Sequence, residues 1–109
     1  MNQQQHDLRS LQWHRLVISR MREDDRLLEK AKETLKHWLS LGPKPNRFYL
    51  AEWEKAINGG LDQLELLATK DNEHGCNLRQ CSPISGVLTN KERWAFRRQW
   101  EFNNEPSKS

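Results

Sequence analysis

Apolar residues near the start of the chain recur at the spacing of an α-helix. On a helical wheel, one arc of about 160° holds Leu11, Trp13, His14, Val17, Ile18 and Met21. A single neighbouring helix would cover a narrower apolar stripe than this arc of about 160°. The pattern therefore predicts a first helix that packs against more than one neighbour.

A second helix follows the acidic run 23–25, which interrupts the first helix and supplies negative charge at a helix start. Its narrower apolar stripe consists of Leu28, Ala31, Leu35, Trp38 and Leu39. Gly42 suits the position after a helix end, and the prolines that follow it cannot continue a helix. The N-terminal half therefore predicts a helical hairpin and then a loop over residues 42–47.

Three shorter helices are predicted in the middle of the chain, over residues 48–58, 61–69 and 73–79. The first has Tyr49, Trp53 and Ile57 on one face, and a pair of glycines ends it. The third is weakly signalled, because Gly75 and Asn77 are poor helix residues.

The strongest local signal lies near the C-terminus, where Glu92 follows Thr89 at a spacing of three. This capping box predicts that a last helix begins at Asn90 and runs to about Phe102. The turn before it, over residues 82–86, contains a proline that fixes one φ angle and a glycine that allows a positive one.

These elements predict an all-α fold, with an N-terminal helical hairpin and a capped, basic C-terminal helix. At 109 residues the chain supports one domain, which we expect to span residues 1–102 with about five helices. The polar residues 103–109 are expected to form a disordered tail.

The net charge of +3 permits nucleic-acid binding but falls short of a strongly basic signature. The net positive charge is highest at the end of the chain, where residues 79–109 carry six basic and three acidic side chains. The polar start has no signal-peptide pattern, and no apolar run is long enough to span a bilayer. We therefore expect a cytoplasmic protein without a membrane partner, in which Cys76 and Cys81 are reduced thiols.

Aromatic residues occupy two opposed faces of the last helix. Phe96 and Trp100 lie together, whereas Trp94 lies nearly opposite them. One interpretation is that the helix is covered all round, or that Trp94 packs under the preceding segment as a hydrophobic staple. The other is that one aromatic face is left for a partner, since Trp and Arg are enriched at binding hot spots. The partner-binding residues would then be Arg93, Trp94, Arg97 and Arg98.

The last three helices also follow the order of a DNA-binding helix-turn-helix, with the most basic helix last. Such a motif joins its two key helices by three or four residues, whereas residues 81–88 form a longer connection. Arg93, Arg97 and Arg98 could still contact phosphates, although Glu92 and Glu101 share their helix. Nucleic acid is therefore the alternative partner.

Residues typical of metal sites and nucleophiles occur without a supporting pattern. His74, Cys76 and Cys81 lack the paired spacing and the fourth ligand of a zinc site. A cysteine–histidine nucleophile pair lacks an identifiable orienting residue and oxyanion hole. We find no phosphate-loop, dinucleotide-binding or hydrolase motif. The sequence thus predicts no metal, no cofactor, no catalytic residue and no enzyme activity.

The run over residues 79–94 reads RQCSPISGVLTNKERW and has the composition of a contact surface. It resembles the ending RQxSPxxGVLTxxERW of small uncharacterised bacterial all-helical proteins, which are associated with toxin–antitoxin or defence gene pairs. The chain departs from that pattern at Cys81, where the other proteins have serine. The resemblance implies a small protein that binds a second protein and neutralises or regulates it.

We therefore expect a non-catalytic regulator, an antitoxin-like neutraliser or partner of another bacterial protein. Trp94 would enter a pocket on that partner, and the neighbouring arginines would pair with carboxylates around it. A DNA-binding transcriptional regulator that uses the C-terminal basic helix is the alternative. A homodimer formed through the wide apolar arc of the first helix is also compatible with the pattern.

Overall fold

Helices form the regular structure in this computed structural model, which describes the backbone of residues 3–42 and 46–104 and the side chains of residues 7–42 and 46–103. The six helices in these residues are α1 (Gln3–Glu23), α2 (Asp25–Ser40), α3 (Arg47–Asn58), α4 (Leu61–Ala68), α5 (Glu73–Gln80) and α6 (Asn90–Asn104). The all-α prediction is confirmed, and the weakly signalled segment after α4 is a full helix. No helix among the described residues is long and apolar enough to cross a bilayer.

The predicted N-terminal hairpin is present, with Asp24 alone between α1 and α2. The Asp24 carboxylate caps α2 by accepting a hydrogen bond of 3.0 Å from the backbone N–H of Arg26. Gly42 has the positive φ of 99° expected after a helix end. Residues 43–45 of the predicted loop lie outside the described residues, and α3 begins at Arg47.

Four helices enclose the core, because α1 packs on α2, α2 on α3, α3 on α4, and α4 back on α1. The short helix α5 lies against α1, α3 and α4. The apolar arc of α1 faces these neighbours, and Val17, Ile18 and Met21 are completely buried. The expectation of a homodimer through this arc is therefore wrong, because the chain already buries the arc within its own fold.

The first turn of α5 requires a glycine, because it lies against the segment that joins α4 to α5. Asn72 caps α5 by accepting a hydrogen bond of 2.8 Å from the backbone N–H of Gly75. A Cβ atom at Gly75 would overlap the carbonyl oxygen of Lys70. That oxygen accepts a hydrogen bond of 2.8 Å from Nη1 of Arg79. The residue that weakens the sequence signal for α5 is thus the one that allows this close approach.

The connection between α5 and α6 spans residues 81–89 and belongs to the core. Its buried residues are Ser82, Pro83, Ile84, Val87 and Leu88. Residues 79–94 have the composition of a contact surface. Most of residues 82–88 within this run are nevertheless buried in the interior. The glycine of this turn, Gly86, does not adopt the positive φ that the sequence allowed. The connection is also unlike the short turn of a helix-turn-helix.

The predicted capping box begins α6. The backbone N–H of Glu92 donates to Oγ1 of Thr89 at 3.2 Å, and the backbone N–H of Thr89 donates to Oε1 of Glu92 at 3.3 Å. The helix continues to Asn104, so it includes the first two residues of the predicted tail. Residues 105–109 lie outside the described residues.

Candidate functional site on the C-terminal helix

The C-terminal helix α6 lies at the edge of the molecule. None of its described side chains is fully buried, in contrast to the core positions of α1 and α3. Phe96 holds it to α1, with its ring centre 5.2 Å from that of Trp13. Glu92 adds an ion pair of 2.7 Å with Arg20, also on α1. Because both contacts are with α1, one side of α6 packs against the rest of the protein and the other side faces solvent.

The inner side of α6 carries the predicted aromatic pair. The rings of Phe96 and Trp100 stack with their centres 6.5 Å apart and their planes 23° apart. Phe96 is also tilted by 57° against the ring of Trp13. The wheel assignment that placed Phe96 and Trp100 on a common face is confirmed.

The outer side of α6 carries Trp94, which is 59% exposed. This exposure rules out the interpretation in which Trp94 packs under the preceding segment as a staple. The Arg97 guanidinium lies 5.8 Å from the centre of the Trp94 ring, within the range of a cation–π contact. Arg98 and the 81% exposed Phe102 follow Trp94 at intervals of four residues. We call Trp94, Arg97, Arg98 and Phe102 the outer face.

Arg93, the fourth residue of the predicted partner site, turns away from the outer face. Its Nη2 donates a hydrogen bond of 3.0 Å to the carbonyl oxygen of Ser85, and its guanidinium lies 5.8 Å from the centre of the Trp13 ring. The indole N–H of Trp13 donates to the same Ser85 oxygen at 3.0 Å. The structure therefore brings Trp94, Arg97 and Arg98 together and places Arg93 against α1.

A cleft of about 220 Å³ lies where α6 meets α1. Its lining residues are Arg9, Ser10, Trp13, His14, Arg79, Ser85, Arg93, Phe96 and Arg97. We call it the α1–α6 cleft. Among the described residues, its walls contain four arginines and no carboxylate. Two of the predicted partner residues, Arg93 and Arg97, thus line a positively charged recess.

Arg79 is the buried arginine of this cleft, with only 5% of its surface exposed. Its Nη1 donates to the carbonyl oxygens of Ala68 and Lys70, at 3.2 and 2.8 Å. Its Nη2 pairs with Asp7 at 2.7 Å. Its Nε is buried and has no hydrogen-bond partner among the described residues. The three hydrogen bonds fix the guanidinium in place, and the unpartnered Nε leaves one donor of this buried cation unsatisfied.

Sequence reasoning missed the contribution of Arg9 and Arg79 to this cleft. The spacing of Arg93 and Arg97 does show that they share a side of α6. Nothing in the sequence shows that this side faces α1, because the position of α6 depends on packing between distant parts of the chain.

A buried histidine–serine pair lies beside the cleft. Nδ1 of His14 donates to the Ser10 carbonyl at 2.7 Å, and the Ser82 hydroxyl donates to Nε2 of His14 at 2.8 Å. These roles follow from a neutral ring, since burial, with a smaller contribution from the Arg79 charge, lowers the pKa of His14 from 6.5 to about 4. Oγ of Ser82 also accepts from the backbone N–H of Ile84 at 3.2 Å.

The His14–Ser82 pair has the residue types of a base and a nucleophile, but its surroundings favour a structural role. His14 is 1% exposed and Ser82 is 4% exposed, so a substrate has little access to either atom. The serine hydroxyl joins α1 to the turn before α6 and also satisfies a buried backbone donor of that turn.

The two thiols lie in surroundings that do not activate them. Burial raises the pKa of both Cys76 and Cys81, and neither is in a disulfide. Nε2 of His74 lies 2.8 Å from the carboxylate of Glu52. No group of three potential metal-ligating side chains occurs among the residues that the structure describes.

No known protein family, curated protein or solved structure matches this chain at a significant level. The likeness of residues 79–94 to small bacterial proteins stays a prediction from the sequence. Function is therefore inferred from the geometry of the C-terminal helix and the cleft beside it.

Proposed function

We propose that this protein is a small, non-catalytic regulator that binds another protein through the outer face of α6. The observation that carries the proposal is the exposure of Trp94 on a capped helix whose position is set by Phe96 on the opposite side. A tryptophan presented in this way is typical of a binding hot spot. The resemblance of residues 79–94 to proteins of toxin–antitoxin pairs favours an antitoxin-like role in a bacterial cytoplasm.

The chemistry of the outer face indicates what the partner surface should contain. Trp94 would fill an apolar pocket, and its removal should cost roughly 2–4 kcal/mol of binding free energy. Arg97 and Arg98 are exposed, so ion pairs at the rim of the pocket would each contribute about 1 kcal/mol or less. We therefore expect an apolar pocket bordered by carboxylates.

A non-catalytic role is supported by the state of the candidate nucleophiles. The Ser82 hydroxyl is buried and hydrogen-bonded, and burial raises the pKa of both thiols above that of a reactive cysteine. Binding of a protein partner requires neither a free serine hydroxyl nor a reactive thiol.

The first prediction concerns Trp94 and is tested by comparative affinity purification. Tagged wild-type protein and the Trp94→Ala variant are purified from the native host at moderate salt after nuclease treatment, and bound proteins are quantified by mass spectrometry. We expect one stoichiometric protein with the wild type. The affinity of that purified protein for Trp94→Ala, measured by calorimetry, should be at least about 30-fold weaker.

The matched control is Phe48→Ala, because Phe48 is 86% exposed and lies on α3, away from the outer face. This variant should bind the partner as tightly as the wild type does. If Trp94→Ala is folded, as judged by circular dichroism, and binds the partner with unchanged affinity, the proposed anchor is wrong.

The alternative of a nucleic-acid regulator is distinguished by the salt dependence of binding. Contacts to phosphates release counterions, so affinity for nucleic acid falls steeply as salt rises. An interface centred on Trp94 should lose much less affinity over the same range. If a parallel purification without nuclease recovers nucleic acid alone, and nuclease treatment removes it, this alternative is favoured.

A further inference from the structure

We propose that the α1–α6 cleft is a binding site for the phosphate group of a small phosphorylated molecule. This inference goes beyond partner binding by the outer face, since the cleft lies between α6 and α1 and shares only Arg97 with that face. Arginine side chains from three helices converge there: Arg9 from α1, Arg79 from α5, and Arg93 with Arg97 from α6. A guanidinium group presents several N–H donors in a plane, which matches the geometry of phosphate oxygens.

The buried arginine is the first argument for a built site. Arg79 is held in place by Asp7 and by two backbone carbonyl oxygens, so its position does not depend on a ligand. Despite these contacts, its Nε lacks a partner within the described part of the chain. Its side chain lines the cleft and brings fixed positive charge to a recess that is partly shielded from water.

The charge balance of the walls is the second argument. Arg79 and Arg97 each have a carboxylate partner, Asp7 at 2.7 Å and Glu101 at 3.5 Å. Arg93 instead donates to a carbonyl oxygen, and no carboxylate among the described side chains forms an ion pair with it. The charge of Arg79 also contributes to lowering the pKa of neighbouring His14, as expected for a positive potential. An anion in the cleft would reduce the repulsion between these guanidinium groups.

The shape of the cleft favours a small ligand over a polymer. Its volume of about 220 Å³ is below the roughly 300–1,000 Å³ of most small-molecule pockets, which leaves room for one or two phosphate groups with a small organic part. Trp13 and Phe96 supply an apolar wall for that part. A phosphate dianion has more charge and more acceptor oxygens than a carboxylate, so it better matches several arginines.

The test is a titration of the full-length protein with pyrophosphate and inorganic phosphate, at constant ionic strength, followed by calorimetry and by the NMR signal of the Trp13 indole N–H. We expect saturable binding with one site per chain and a shift of the Trp13 signal. Arg93→Gln and Arg9→Gln should each weaken binding by about tenfold, because each removes one charged donor.

The matched control is Lys91→Gln, which removes one positive charge from an exposed position of the same helix that does not line the cleft. It should change the affinity by less than about twofold, since exposed charges act weakly at a distance in salt. Thermal melting followed by circular dichroism shows whether each variant is folded. Because two cleft arginines are substituted separately, the test still stands if one of the two variants does not fold.

Four results would overturn the proposal: absence of saturable binding, equally tight binding of acetate, equal weakening by Lys91→Gln, or binding of a single-stranded oligonucleotide without any response to pyrophosphate. This proposal and the proposed partner surface can fail separately. Capture of the partner depends on Trp94 and is measured without phosphate, whereas the titration requires no partner.

Discussion

His14 illustrates how burial changes the meaning of a polar residue in this chain. On the helical wheel it is one member of an apolar arc, and in the fold it lies completely among core side chains, with its ring 6.2 Å from that of Trp53. Two hydrogen bonds satisfy its nitrogen atoms and join α1 to the turn before α6. The residue is thus a core side chain that also sets the position of that turn.

The burial of His14 predicts a specific pH dependence of stability. Its pKa is about 4 in the folded protein and near 6.5 when unfolded, so the unfolded state binds the proton more readily. The stabilisation is complete above about pH 6.5 and is lost as the pH falls toward 4. The difference between the folded and unfolded pKa values of His14 corresponds to about 3 kcal/mol of unfolding free energy. Urea denaturation between pH 4 and 7.5 measures this loss.

The comparison uses His14→Gln, whose amide can both donate and accept but does not titrate in this range. This variant should lose markedly less stability than the wild type between pH 6.5 and 4. His37→Gln, which changes an exposed histidine, should follow the wild-type curve. If the His14→Gln and wild-type curves run parallel, a neutral buried histidine does not account for the pH dependence.

At the scale of elements, the join between α4 and α5 shows where helix propensity and packing conflict. Gly75 lowers the intrinsic preference of α5 for the helix. The approach of the Lys70 carbonyl leaves no space for a side chain at that position. The short helix therefore forms because it is capped by Asn72 and buries Leu78 in the core.

The next prediction follows from this contact. Gly75→Ala should destabilise the protein by about 1–3 kcal/mol, because the turn must move to relieve the overlap. Chemical denaturation followed by circular dichroism measures the change. Since Lys70 also accepts a hydrogen bond from Arg79, the same variant should disturb the buried side of the cleft.

Gly86→Ala is the matched control for this substitution. A Cβ atom at Gly86 would meet open space, and its φ is not positive. The control should leave stability nearly unchanged or raise it slightly, since alanine reduces the entropy of the unfolded chain. Equal unfolding free energies for the two alanine variants would contradict the role assigned to Gly75.

The sequence predicted the elements well where local signals were strong. The capping box at Thr89 and the glycine at position 42 mark helix limits that the structure confirms, because both act within a few residues. The limits of α4 and α6 differ by one or two residues from the predicted ones, as expected for helix ends. The orientation of Arg93 was not predictable, since its contact with Ser85 depends on the buried turn.

At the scale of the whole molecule, stability is unevenly distributed. The helices α1 to α4 enclose a common core, whereas α6 contributes no fully buried side chain among its described residues. Segments with few buried apolar contacts open at lower free energy than the core. The two proposed binding surfaces both include this less firmly held helix.

Hydrogen exchange should therefore show α6 exchanging faster than α1 and α3. Phe96→Ala should accelerate exchange in α6 further while leaving α3 nearly unchanged, because the contact with Trp13 holds the helix to α1. Phe102→Ala, at an exposed position of the same helix, should have little effect. Uniform protection across α1, α3 and α6 would show that α6 belongs to the same cooperative unit as the core.

The sequence by itself determined the helical class, the hairpin, the cap of α6 and the opposition of Trp94 to Phe96 and Trp100. These features depend on periodicity and on contacts within a few residues. Only the tertiary structure decided which aromatic face is exposed, that residues 82–88 are largely interior, and that arginines from α1, α5 and α6 meet in one cleft. The physical reason is that long-range packing selects which helix faces touch, and residues far apart in the chain give no local sign of that choice.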